Sequence, residues 1–393
     1  MVREDGARHP HHLRVCHVIT GFDTGGAERV LLQTVRRLDP SRFESLIVSL
    51  RRPGPLSGEA VRSGVETIHL DMGRRPGPGT LWRLARIFRR KNVALVHAYL
   101  YDASIASRLA GRWARVPVVL TSTRASLEYL PRAAWWLDRV TARWCQCIIA
   151  VSRGTADFVV QKEKIPEGKV VLVPNGVDLE HYRPGDRAAA RATWAISDGA
   201  FVVASIGRLH LQKGHRFLLE AIRRIREDIP GLVCLIAGEG PLRDELARYA
   251  NALGVADCCY FLGVVSDPRN VYDAADVTVL PSLYEGMPNV VLEAMAMACP
   301  VVATQVEGTV DLVRPGETGL LVPPGDAVAL AEGLKALAAD PERRRTMGAR
   351  SRERAAAHHS IDKMVASVEA LYSREWDRSI ALRQSRSAKH PLQ

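Results

Sequence analysis

The chain lacks any uninterrupted apolar run near the roughly 20 residues that span a bilayer. Its first twelve residues, MVREDGARHPHH, mix acids and histidines without the apolar stretch of a secretory signal. Together these absences lead us to expect a cytoplasmic protein. Seven cysteines, an odd number, sit in apolar stretches such as LRVCHVIT and LVCLIAG, as reduced core thiols do. Cys145 with Cys147, and Cys258 with Cys259, have no partner Cys or His at zinc-site spacing, so no metal site is expected. Missing too are paired Cys/His fingers and any aromatic-rich RNP pattern, which argues against nucleic acid as partner.

What is present is a chain of 393 residues, 47% hydrophobic and 25% charged. That length exceeds what one core usually supports and points to two domains of about 150 to 200 residues. The net charge of +11 is uneven: residues 1–190 carry 30 Lys/Arg against 18 Asp/Glu, so the whole surplus lies in the first half. A basic face of that kind suits an anionic partner, and with nucleic acid set aside a membrane surface becomes the candidate.

Short β-branched runs alternate with helix-length amphipathic segments: residues 13–20, 44–50, 93–98, 116–122 and 146–152, then 201–207, 232–238, 259–263, 277–282 and 300–304. Near-continuous apolar strands separated by helices imply parallel sheets covered on both faces. The expected fold is therefore α/β, with two doubly wound, Rossmann-like domains. Turn residues cluster at 175–199 and mark the boundary, giving domains at 13–190 and 195–356. A helix over 357–376 is expected to pack back on the first domain, and 377–393 reads as a loose basic tail.

In such sheets ligands sit beyond the carboxyl ends of strands. The first loop of that kind, TGFDTGGAERVLL, places Gly25 and Gly26 before a helix whose positive end suits an anion; a plain glycine turn is an equal reading. SIGRLHLQKGH puts Arg208 and Lys213 in one strand-to-helix loop with Gly207 and Gly214. Charge-assisted bonds of roughly 1.5–3 kcal/mol each would grip a diphosphate there. IAGEGPL, with Gly238 and Gly240, lacks the third glycine of a dinucleotide fingerprint and reads as a tight turn. In LYEGMPNVVLEAMAMACP, Glu285 stands in a loop and Glu293 interrupts an otherwise apolar helix. An unpartnered buried carboxylate costs several kcal/mol, so Glu293 must meet a cation, hydroxyl donors or a ligand such as a ribose.

These stretches together resemble glycosyltransferase family 4, a retaining family with the GT-B fold of two facing Rossmann-like domains. Matching segments are 25–32, 148–160, 173–184, 205–215, 235–246, 282–304 and 316–326, within a resemblance that covers about residues 13–375. Its most specific element is the Glu-x7-Glu spacing joined to the Gly-Arg and Lys loop. The resemblance implies a hexosyltransferase that takes a nucleotide sugar, with UDP the first expectation. It implies that Glu293 holds the ribose, Glu285 contacts the donor sugar and adjacent phosphate, and Arg208 and Lys213 bind the diphosphate and stabilise it as it leaves. Gly25 and Gly26 would approach the donor phosphates from the opposite domain. Gly207, Gly238, Gly286, Met287 and Asn289 complete the expected donor site. No cofactor or metal is expected, because the cations take the role a divalent ion plays elsewhere.

One position departs from the family pattern. After VPVVLTS many relatives carry a histidine at the reactive centre, whereas this chain has Arg124, which could meet an anionic acceptor. His97, at the end of ALVH, is a second cleft candidate. The stretch from Arg74 to Lys91 holds seven Lys/Arg and no acid. On a helix Leu81, Leu84, Ala85 and Phe88 share one face, and Arg83, Arg86 and Arg90 the opposite one. That face could touch anionic membrane, or the apolar side could pack on the domain's own sheet while only the arginines meet solvent. WWLDRVTARW, which leads straight into a strand, reads as core. The expected acceptor is a glycan precursor, lipid-linked or at the cell surface. Two further readings stay open: a nucleotide-sugar epimerase, which the Glu-x7-Glu motif argues against, and a non-catalytic nucleotide-sugar-binding subunit of a glycan-assembly complex.

Overall fold

The computed structural model describes residues 12–23, 25–73, 75–124 and 130–389, with side chains described through residue 385. Its strands are β1 (Leu13–Ile19), β2 (Phe43–Ser49), β3 (Glu66–His69), β4 (Leu95–Tyr99), β5 (Val118–Thr123), β6 (Cys147–Ala150) and β7 (Val170–Leu172). The second series is β8 (Phe201–Ile206), β9 (Leu232–Ala237), β10 (Cys259–Gly263), β11 (Val277–Leu280), β12 (Val301–Thr304) and β13 (Gly319–Val322). Two parallel sheets result, ordered β3-β2-β1-β4-β5-β6-β7 and β10-β9-β8-β11-β12-β13. Both are doubly wound α/β sheets, as the alternation of apolar runs and amphipathic segments requires.

The chain divides into two compact units. Unit one takes residues up to Val151, Ala156–Val173 and the chain from Val365 onward; unit two takes Ser152–Thr155 and Pro174–Met364. In unit one, one face of the sheet buries Cys16, Val18, Leu46, Val48, Val96 and Ala98 against Leu84, Ala85 and Phe88 of the helix Pro78–Arg90. The other face packs Ile19, Ile47 and Tyr99 against Leu31, Leu32 and Val35 of the helix Gly26–Arg37. Unit two buries Val203, Cys234, Ile236, Val277 and Val302 beneath Leu218, Leu219, Ile222, Leu330 and Leu334.

Strand order reverses direction between β1 and β4 in unit one and between β8 and β11 in unit two. At such switch points the loops leaving adjacent strands diverge to opposite faces and open a crevice at the carboxyl edge.

The structure differs from two sequence expectations. The segment expected to be a loose tail is helical as far as residue 389, because the helix Ile361–Lys389 continues into it; residues 390–393 lie outside the described residues. RSIALRQSRSAK contains no Gly or Pro to stop a helix, and Ser379 Oγ donates to the Pro117 carbonyl at 3.3 Å. In WWLDRVTARW, Trp136 is 64% exposed. The buried positions of its helix, Arg132–Thr141, are Asp138 and Thr141. Asp138 Oδ1 accepts from Arg108 Nη1 at 2.7 Å and so answers a fully buried guanidinium.

Candidate active site

The carboxyl edge of unit two is built by close backbone approach. Gly238 has φ +140°, and a Cβ there would lie 1.9 Å from the Gly207 carbonyl oxygen; a Cβ at Gly240 would lie 2.3 Å from that of Leu209. The loop after β9 thus lies directly on the loop after β8, and only glycine permits the contact. Gly214, at φ +64°, would set a Cβ 2.0 Å from the Pro281 carbonyl oxygen, which brings the loop after β11 onto the same edge. Hydrogen bonds lace the two switch-point loops together: Leu283 N–H donates to the Gln212 carbonyl at 2.8 Å, and Gln212 Nε2 to the Tyr284 carbonyl at 3.0 Å.

On this frame the charged residues gather. Lys213 runs its stem past Gly207, whose Cβ would be 3.8 Å from Cδ and Cε. Its Nζ donates to Glu285 Oε1 at 2.5 Å. Ser282 Oγ donates to the same oxygen at 2.7 Å, and Thr304 Oγ1 in turn holds the Ser282 carbonyl at 2.5 Å. Glu285 is 6% exposed, and the cation and hydroxyl answer the charge that burial would otherwise penalise. Arg208 differs from Lys213: it is exposed, and among the described residues its guanidinium enters no ion pair.

The helix after this loop, Asn289–Ala296, has Pro288 at its N-cap and buries Val291, Leu292, Ala294 and Met295. Asn175 fixes its start. Its Nδ2 donates to the Met287 carbonyl at 3.1 Å and to Asn289 Oδ1 at 2.9 Å, and its N–H points at Met287 Sδ at 3.1 Å. Gly286 passes beneath Gly308, where a Cβ would lie 2.0 Å from the Gly286 carbonyl oxygen. Glu293 is half-buried, and Tyr272 Oη donates to its Oε2 at 2.8 Å. The carboxylate that interrupts an apolar helix is therefore met by a hydroxyl donor. Ser282, Asn175 and Tyr272 support this edge without having stood out in the sequence; each acts through a tertiary hydrogen bond.

Of the residues expected at the donor site, Gly207, Arg208, Lys213, Gly238, Glu285, Gly286, Met287, Asn289 and Glu293 all lie in the loops and the one helix that border the β8/β11 switch point. Gly25 and Gly26 open the helix Gly26–Arg37 after β1, beside the switch point of unit one, with the carboxylate of Glu28 against Gly25. Arg124 follows β5, half-buried, with its guanidinium carbon 5.1 Å from the centroid of the Tyr99 ring. His97 does not line a cleft. It is 1% exposed, with Nδ1 2.7 Å from Tyr372 Oη, Nε2 2.7 Å from Ser122 Oγ, and its ring stacked on Tyr99. Burial holds its pKa well below the usual histidine value. It is a neutral packing residue beneath the long C-terminal helix.

Residues 24–181 match the family model described as Glycosyltransferase Family 4, and residues 186–354 the model described as Glycosyl transferases group 1. The chain is 32% identical over 327 residues to the alpha-maltose-1-phosphate synthase of Mycolicibacterium smegmatis, covering 75% of this chain and 84% of that protein. It is 26% identical over 378 residues to the UDP-Gal:alpha-D-GlcNAc-diphosphoundecaprenol alpha-1,3-galactosyltransferase of Escherichia coli, covering 92% and 96%. Among solved structures, Anabaena HepE in complex with UDP gives a TM-score of 0.83 at 20% identity, over 92% of this chain and 100% of that one. Sucrose-phosphate synthase from Thermosynechococcus elongatus gives 0.78 at 23%, over 93% and 100%. The chain belongs to glycosyltransferase family 4 and has the GT-B fold. Its activity is that of a glycosyltransferase with a nucleotide-sugar donor.

Proposed function

We propose that the protein is a retaining hexosyltransferase that takes a UDP-sugar and glycosylates a hydroxyl of a lipid-linked or cell-surface glycan precursor. The observation that carries this reading is the convergence of Arg208, Lys213, Glu285 and Glu293 on one switch-point edge. UDP is favoured by the donors and ligands of relatives and neighbours: the Escherichia coli relative transfers galactose from UDP-Gal to GlcNAc-diphosphoundecaprenol, and HepE binds UDP.

In this reading Glu293 accepts from the ribose hydroxyls, and Arg208 and Lys213 hold the diphosphate. Glu285, already bonded to Lys213, aligns that lysine and faces the donor sugar. The bond between the anomeric carbon and the diphosphate oxygen breaks as the acceptor oxygen bonds to the same face of that carbon. The acceptor's proton passes to the departing phosphate. Such chemistry rests on positioning and on stabilising negative charge as it develops. The two cations supply that stabilisation, so no divalent metal is assigned a role. Purified protein incubated with UDP-sugars and lipid-linked acceptors should transfer or slowly hydrolyse the donor with retained anomeric configuration, and chelator should leave the rate unchanged. Binding without turnover would support a sensor instead, and activity that requires Mg2+ or Mn2+ would remove the metal-free mechanism.

A peripheral membrane contact belongs to the same reading. No helix among the described residues is long and apolar enough to cross a membrane. The helix Pro78–Arg90 buries Leu84, Ala85 and Phe88 in its own unit and exposes Arg83, Arg86, Arg89 and Arg90; Arg74 lies outside the described residues. Trp82 is 56% exposed beneath the Arg86 guanidinium, and Trp113 is 48% exposed next to Arg89, which donates to its carbonyl. Tryptophans flanked by arginines suit a lipid headgroup layer. Cosedimentation with vesicles containing anionic lipid should occur at low salt and fall as salt rises, and indifference to such vesicles at low salt would remove this contact.

A further inference from the structure

Glu293 is held by a residue that no part of the donor reading uses. Tyr272 lies on the helix Arg269–Ala274, and its hydroxyl is 2.8 Å from Glu293 Oε2 and 3.2 Å from the Val290 carbonyl oxygen. Both neighbours are acceptors, and the shorter contact is to the carboxylate. The ring is 2% exposed and packs edge-on against Tyr182, with centroids 6.4 Å apart at 78°. Burial and the nearby charge of Glu293 push the phenol's pKa well above its ordinary value, so the hydroxyl keeps its proton and meets the carboxylate as a donor.

A glutamate carries three side-chain torsions, and a terminal carboxylate turns broadly about the last of them. Recognition of two vicinal hydroxyls needs both oxygens presented in one plane, and every torsion left loose lowers affinity by the entropy of ordering it on binding. A buried hydroxyl that grips one oxygen removes that freedom before the ligand arrives.

We propose that Tyr272 is a positioning residue for the donor nucleotide: its hydroxyl sets the plane of the Glu293 carboxylate so that it accepts from the 2′- and 3′-hydroxyls of the ribose. The proposal rests on the donor-site reading above. Tyr272 reaches the nucleotide through Glu293 and not through its longer contact to the Val290 carbonyl, so its contribution belongs to donor affinity and disappears when the ribose hydroxyls are absent. A tyrosine that merely packs would affect every nucleotide alike.

The test is calorimetric titration of the full chain with UDP and with 2′,3′-dideoxy-UDP, for the wild type, Tyr272→Phe and Glu293→Ala. Phenylalanine keeps the ring and its packing. Tyr272→Phe is expected to weaken UDP about tenfold, the low end of the effect of a hydrogen bond to a charged group. The affinity for dideoxy-UDP should stay unchanged, and in turnover the donor KM should rise by a similar factor with kcat within about twofold of wild type. Equal weakening of both nucleotides, or no weakening of UDP, would overturn the assignment. Glu293→Ala separates the two levels. Lost UDP affinity in Glu293→Ala beside unchanged affinity in Tyr272→Phe removes Tyr272 alone, whereas wild-type affinity in Glu293→Ala removes the ribose site itself.

Discussion

Lys213→Ala is expected to lower sugar transfer about a thousandfold, the upper end of what removing one preorganised group opposite a developing oxyanion costs. The loss should fall on kcat more than on donor KM, because the charge it answers grows as the diphosphate departs. The same substitution should also cost about 3 kcal/mol of stability, the low end for removing one partner of a buried pair. It leaves Glu285, 6% exposed, with Ser282 as its remaining donor in place of a cation. Arg208→Ala is the contrasting case: an exposed guanidinium with no ion pair among the described residues can be removed with stability unchanged, while transfer falls about a hundredfold. Steady-state kinetics beside thermal unfolding reads both. Equal stability losses in the two variants would contradict the roles given to the two cations.

Acid should destabilise unit two before unit one. His215 is 3% exposed, and burial together with Lys213 brings its pKa down to about 4; His359, 7% exposed, is brought to about 4 by burial and the nearby Arg354 and His358. The unfolded chain binds these protons near the ordinary value of about 6.5. A neutral folded histidine therefore contributes stability that is full above that pH and is lost as pH falls towards 4. Each should account for about 2 kcal/mol lost at pH 5 relative to pH 7.

Unit one contains His17, brought to about 3 by burial, and His97, which burial holds well below the ordinary value, but also Glu163, which burial and Asp138 push up to about 9. Glu163 has the opposite sign: its contribution is full below the ordinary carboxylate pKa and is lost as pH rises towards 9. It therefore offsets part of the loss from His17 and His97 between pH 7 and 5, an offset that His215 and His359 lack. Peptide-resolved hydrogen exchange at the two pH values should show unit two losing protection by a larger factor, and equal loss in both units would count against this assignment.

The sequence disclosed the interior of each sheet better than its margins. β1, β2, β4, β5 and β6, and β8, β9, β11 and β12, are apolar runs because both faces are covered. Three edge strands, β3, β7 and β13, have no counterpart among the strands expected from sequence. They are short, and β3 reads ETIH with no residue fully buried, so periodicity has little to detect. Trp136 reads as core by composition, yet the helix turns Asp138 inward in its place, since the buried guanidinium of Arg108 needs a carboxylate. Hydropathy along the chain carries no record of that demand.

At the site, Glu285, Glu293, Arg208 and Lys213 were legible because spacing and position after strands mark them. Their supports were not. Tyr272 is 21 residues from Glu293 and Asn175 is 114 from Asn289, so only the folded chain brings each pair together. The ion pair between Lys213 and Glu285 was equally hidden, and it turns two separate donor contacts into one coupled unit.

The central claim is that a nucleotide sugar binds at the β8/β11 switch point of unit two. Peptide-resolved hydrogen exchange of the wild-type chain with and without UDP tests it most directly. The account predicts that UDP protects residues 207–216 and 282–296, with β10 and the helix Ala327–Ala338 unchanged. Protection elsewhere in unit two, with those two segments unaffected, would contradict it.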